Sequence, residues 1–201
     1  KNDIDFDKNL VQEKLPNSQN VKGGFFLCKK GEILSFYSHQ RIRTFPETGG
    51  VTVFSKATNS EKIKKAGQKL IEKLNWDGIL MIEYIFDGRD NKYKVIEINP
   101  RMWGSVLLSE FCEANFLQKY IDLTLGGIEI ENRPIKDCSI RWIFPYDIIY
   151  FIKRLTSPFR FFNSPKNTCH INFTYSSFFR SFTFILLSYF NPSKFFRLFK
   201  K

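Results

Sequence analysis

The fold is decided by one stretch: Ile79-Leu80-Met81-Ile82-Glu83-Tyr84-Ile85-Phe86, a polar turn Asp87-Gly88-Arg89-Asp90-Asn91, then Lys92-Tyr93-Lys94-Val95-Ile96-Glu97-Ile98-Asn99, closed by Pro100-Arg101-Met102-Trp103-Gly104-Ser105. Two runs of β-branched and aromatic residues flank a turn rich in Asp, Gly and Asn, which predicts a β-hairpin. With the turn centred near residue 90, residues whose numbers sum to 180 face each other, and Glu83 and Glu97 meet that condition. The period of two along a strand then places Asn99 on the face of Glu97.

That patch carries a physical demand. Two carboxylates about 5 Å apart repel by roughly 3 kcal/mol at an effective dielectric of 20. A bound cation, a raised pKa or solvent must answer the cost. Two carboxylates and an amide oxygen suit Mg²⁺ or Mn²⁺ rather than zinc, and Mg²⁺ completes its octahedron with water and phosphate oxygens. Arg101, two residues on, offers a planar fork for a phosphate or carboxylate. The alternative is an exposed hairpin whose glutamates pair with Arg89, Lys92 or Lys94.

Working outward, strand-like runs occupy residues 10–15, 25–29 and 33–45, with a Lys30-Gly31 turn and a stop at Pro46. A short strand is expected over 51–54 after Gly49-Gly50. Ile63, Ala66, Gly67, Leu70, Ile71 and Leu74 recur at helical spacing, so a helix spans about 60–75. Helices follow over 106–113 and 116–125, and a strand over 139–144. The fold class expected is α+β: an antiparallel sheet with packed helices, followed by a small Phe-rich, basic helical region.

The 201 residues carry a formal charge of +11, which favours an anionic partner. Residues 138–201 hold ten Lys or Arg against one acid, Asp147, together with fourteen of the 23 Phe. This change of composition predicts a boundary, with one unit over 1–137 and a satellite region over 138–201. The four cysteines form no C-x-x-C pair and only two histidines accompany them, which argues against a zinc site and for reduced thiols in a cytosolic compartment. The longest apolar run, 182–190, is far shorter than the ~20 residues of a membrane span. Aromatic and basic residues interleave in Phe178-Phe179-Arg180 and Lys194-Phe195-Phe196-Arg197-Leu198-Phe199-Lys200-Lys201, a pattern that also suits an interfacial helix on an anionic membrane, at its inner face. No nucleic-acid motif is present, and no nucleic-acid partner is expected.

The string Val95-Ile96-Glu97-Ile98-Asn99-Pro100-Arg101-Met102-Trp103-Gly104-Ser105, with Glu83 fourteen residues earlier, resembles the catalytic hairpin of the ATP-grasp superfamily, in particular carboxylate-amine ligases related to the carbamoyl-phosphate synthase large chain. Val11-Gln12-Glu13-Lys14-Leu15-Pro16 looks like that family's adenine-holding hinge strand. His39-Gln40-Arg41-Ile42-Arg43-Thr44-Phe45-Pro46 followed by Gly49-Gly50-Val51 looks like the strand and turn bordering its phosphate and acceptor site. The resemblance covers about residues 8–127.

It implies that Glu83 binds one Mg²⁺, Glu97 bridges two and Asn99 completes the second, with Arg101 on the transferred phosphate. Gln12, Glu13, Lys14, Leu15, Arg41 and Arg43 would serve the nucleotide. The implied reaction is ATP-dependent ligation of a small carboxylate to an amine through an acyl phosphate. The family's first clamp subdomain, with its phosphate-binding lysines, has no counterpart here, so the chain is expected to be part of a longer enzyme. The competing expectation is a non-catalytic protein of this fold that acts through its basic aromatic tail at a membrane or partner surface.

Overall fold

A computed structural model describes residues 13–15, 21–47, 49–126, 130, 133–154 and 163–171. Seven strands form one sheet in the order β5-β4-β1-β2-β3-β6-β7: β1 (Val21–Lys29), β2 (Glu32–Phe45), β3 (Val51–Thr58), β4 (Gly78–Asp87), β5 (Lys92–Asn99), β6 (Ser139–Trp142) and β7 (Thr168–Ile171). All neighbours are antiparallel except β6 and β7, which are parallel. The helices are α1 (Glu61–Leu74), α2 (Val106–Phe111), α3 (Phe116–Thr124) and α4 (Ile148–Arg154).

The β1–β2 turn places Lys30 and Gly31 both at positive φ, 47° and 78°, as a two-residue hairpin turn requires. Asp77 Oδ1 accepts the Lys30 backbone N–H at 3.0 Å, which ties this turn to the end of α1. The αL residue Asn75 terminates α1, its N–H returning to Glu72 and Ile71 carbonyls.

Alternation along the central strand builds two cores. Phe26 and Cys28 face α1 with Ile63, Ile71, Leu80, Ile82 and Tyr84. Phe25 and Leu27 face the opposite way, packing with Tyr37, Met81, Trp103, Leu108 and Phe116 beneath α2 and α3. Burying both faces explains why residues 23–28 are all buried, a run that alternating polarity would not predict.

Two strands are longer than their sequence signals. β1 begins at Val21, four residues before the expected start, and β3 runs on to Thr58. The reason for the first is tertiary. Glycine is depleted in strands, but at Gly23 and Gly24 side chains from the sheet and α1 fill the space a Cβ would need: one at Gly24 would come 2.8 Å from Ile63 Cγ2. The boundary expected at 137/138 falls just before β6, which pairs with β3 and so carries the same sheet onward. The strand expected over 139–144 ends at Trp142, where the chain turns through Ile143–Asp147 into α4. The Phe-rich segment 172–201 and the first half of the strand expected over 10–15 lie outside the described residues. Among the described residues, no helix is long and apolar enough to cross a membrane.

Candidate functional site

On the α2/α3 face of the sheet the helices stop short, and the uncovered end forms a cleft of about 720 Å³. Its floor is a row across four strands. Glu97 on β5 stands opposite Glu83 on β4, Glu83 opposite Gly23 on β1, and Gly23 opposite His39 on β2. Asn99, Arg101, Arg41 and Ser105 also line the cleft.

The Glu83–Glu97 pairing depends on a bulge. From the turn, Asp87 to Tyr84 pair with Lys92 to Val95 and the numbers sum to 179; past Ile96 the sum becomes 180. Without that extra residue, Ile96 would face Glu83 and Glu97 would point at α1. The expected facing pair is therefore present, held by a bulge at Ile96 rather than by a turn centred at residue 90.

Arg41 bridges to Glu83 through Nη2, so a guanidinium supplies one counter-charge for the carboxylate pair. Burial raises the Glu83 pKa above the usual carboxylate range, Arg41 opposes that rise, and Glu97 adds to it. Arg101 Nη2 donates to Asn99 Oδ1 at 3.0 Å, which orients the amide. Two other basic groups of the hairpin are engaged elsewhere. Arg89 pairs with Asp87 and Glu13, and Lys94 with Asp90.

Among the described residues, no group of three or more His, Cys, Asp or Glu side chains is placed to hold a metal ion. Glu83, Glu97 and Asn99 offer two carboxylates and an amide. That oxygen-only set fits Mg²⁺ bound jointly with phosphate and water, and does not fit a closed all-protein cage.

The structure separates the other sequence-predicted residues. Period two would put Arg41 and Arg43 on one face of β2, but the register against β3 shifts at Ile42: Arg41 pairs with Ser55 and Arg43 with Phe54. Arg43 is thereby turned away from the cleft. It pairs with Asp147, which is fully buried and also bound by Arg141, and its guanidinium lies 4.9 Å from the Tyr150 ring. Glu13 accepts from Arg89 Nη1 at 2.6 Å beside the hairpin turn, and neither it nor Lys14 nor Leu15 lines the cleft. Gln12 lies outside the described residues.

Sequence reasoning passed over His39 as a functional residue. It is 1% exposed, its Nδ1 lies 3.3 Å from Ser105 Oγ, and its Nε2 is buried with no hydrogen-bond partner. A Cβ on Gly23 would come 2.8 Å from that nitrogen, so the glycine is what lets the imidazole lie across β1. Burial, with Arg41 beside it, pushes the His39 pKa down to about 3. The ring is neutral at physiological pH. Its position opposite Gly23 was the available signal, since a glycine paired with a large polar residue marks a close approach. The cleft is completed on the β3 side by Gly49, Gly50, Val51 and Val53, and by Trp142, Phe144, Pro145 and Tyr146.

No protein-family model and no curated protein matches the chain. Solved structures do. An ADP complex of N5-carboxyaminoimidazole ribonucleotide synthetase matches at 14% identity and TM-score 0.49, over 68% of this chain and 37% of that one. Biotin carboxylase from Campylobacter jejuni, in a β,γ-ATP complex, matches at 13% and 0.48, over 63% and 29%. Pyruvate carboxylase from Rhizobium etli matches at 14% and 0.44, over 59% and 13%. The chain therefore spans well under half the length of each.

Proposed function

We propose that this chain is the ATP- and Mg²⁺-binding part of an ATP-dependent ligase that joins a carboxylate to an amine through an acyl phosphate. The observation that carries the reading is Glu83 facing Glu97 across β4 and β5, with Asn99, Arg101 and Arg41 in the same cleft. Mg²⁺, when bound, neutralises phosphate charge and aligns the γ-phosphoryl for transfer. Glu83 and Glu97 would hold it through carboxylate oxygens and Asn99 through its amide oxygen. Arg101, already bonded to that amide, would steady the phosphoryl oxygens. The substrate carboxylate attacks the γ-phosphorus, a C–O–P linkage forms, and the bond to the β-phosphate oxygen breaks to release ADP. The amine then adds to the acyl carbon, phosphate leaves with its bonding pair, and the amine proton passes to solvent. No protein nucleophile is needed, because positioning and charge neutralisation supply the catalysis.

The reading places the chain within a longer enzyme whose remaining part supplies the other wall of the nucleotide clamp. The test is Glu97→Gln, an isosteric change at an exposed position. Titrated with a non-hydrolysable ATP analogue, the wild type should bind more tightly with Mg²⁺ than with EDTA. The variant should keep its unfolding midpoint and lose that Mg²⁺ dependence. Equal Mg²⁺ dependence in the two proteins would remove the metal assignment.

A further inference from the structure

The cleft has two ends of different chemistry. The carboxylate pair lies at β4 and β5. Three strands away, beside β3, the wall is Trp142, Phe144 and Tyr146, with Val51 61% exposed at its rim. These aromatics come from β6 and the turn after it, a segment the hairpin motif does not reach. The ring of Tyr146 is held by stacking on Phe45, with centroids 5.4 Å apart, so this wall is braced from beneath.

Between the two ends stand two buried donors without partners: His39 Nε2 and Arg41 Nε. When the Ser105 hydroxyl donates to His39 Nδ1, Nε2 carries the proton, so His39 Nε2 and Arg41 Nε are the two N–H donors. Buried unpaired donors are costly in an apolar setting and are satisfied when an acceptor arrives. His39 and Arg41 are i and i+2 on β2 and share the cleft face. Strands are spaced ~4.8 Å apart, so β2 lies ~10 Å from β6 and ~10 Å from β4. Arg41 reaches Glu83 and the His39 ring lies across β1, so the donors stand between the two ends and nearer the metal end.

Resting on the ligase reading above, we propose that the acceptor substrate is an aromatic carboxylic acid, its carboxylate bonded by His39 Nε2 and Arg41 Nε and its ring laid against Trp142, Phe144 and Tyr146. The orientation follows from the order of groups along the cleft. The carboxylate points toward the end where the γ-phosphoryl is carried, and the apolar body points away from it. A small aliphatic acid would satisfy the donors but leave the aromatic wall wet. An aromatic alcohol would do the converse.

The experiment uses three probes on the wild-type protein by calorimetry: 3-phenylpropanoate, propanoate and 3-phenylpropanol. The phenyl acid should bind at least about tenfold more tightly than either of the others, the gain expected of a ring buried against aromatic neighbours. Tyr146→Ala should erase the preference over propanoate, and Arg41→Gln the preference over the alcohol. Trp142→Ala repeats the first comparison at a second position, so a folding defect in one variant does not decide the result. Equal binding of phenylpropanoate and propanoate, or a preference that survives both aromatic substitutions, overturns the proposal. So does equal binding of the acid and the alcohol, or no binding of any probe. The three probes are titrated without nucleotide or Mg²⁺, so a failure here is distinct from a failure of the Mg²⁺-dependent nucleotide binding that tests the ligase reading.

Discussion

His39 offers a measurable pH dependence of stability. In the unfolded chain a histidine titrates near 6.5, whereas burial in the fold holds His39 near 3. Between those values the unfolded state binds a proton that the folded state refuses, so stability is full above about pH 6.5 and falls as pH drops toward 3. Each pH unit within the window costs up to ~1.4 kcal/mol, and the loss between pH 6 and pH 4 integrates to about 2.5 kcal/mol. That is a large share of the ~5–15 kcal/mol by which domains are stable. The assay is urea unfolding followed by tryptophan fluorescence, for which the buried Trp103 is a reporter, at pH 6 and pH 4 in the wild type and in His39→Gln. Subtracting the variant's pH loss from that of the wild type cancels the contributions of His170 and of carboxylates common to both proteins. The remainder should be about 2.5 kcal/mol. A remainder near zero would mean that His39 takes up its proton in the folded state, and the reasoning from its burial would be wrong.

Two further substitutions test the packing that positions the site. Gly23→Ala puts a methyl 2.8 Å from His39 Nε2 and 2.9 Å from Phe25 Cζ; it should lower stability by about 1–3 kcal/mol in urea titration, and an unchanged midpoint would show that the imidazole is free to move aside. Asp147→Ala strips the counter-charge from Arg141, a residue 1% exposed, and from Arg43. A loss of about 3–5 kcal/mol is expected, and a loss below about 1 kcal/mol would show that the arginine pair is solvated rather than buried.

Local sequence was sufficient wherever an element carries its own signal. The helix α1 is written in apolar residues three and four apart, and the β4–β5 hairpin in two β-rich runs around a polar turn. Glu83 facing Glu97, with Asn99 on the same side, was expected from a turn centred near residue 90 and is present, but it rests on a bulge at Ile96 that neither the chain length between the strands nor the period of two shows. Neighbouring strands and opposing faces decided the rest. Gly23 and Gly24 read locally as strand breakers, yet they form part of the most enclosed strand because His39, Phe25 and Ile63 occupy the space of their missing side chains. Arg41 and Arg43 read as equivalent, but a single extra residue at Ile42 reverses the face, leaving Arg41 to Glu83 and giving Arg43 to Asp147. The aromatic wall came from more than eighty residues beyond Gly50, through a strand pairing between β3 and β6 that carries no local mark. The sequence alone thus determined which chemical groups stand on each strand. Tertiary structure determined which of them meet, since bulges and strand order depend on contacts between segments far apart in the chain.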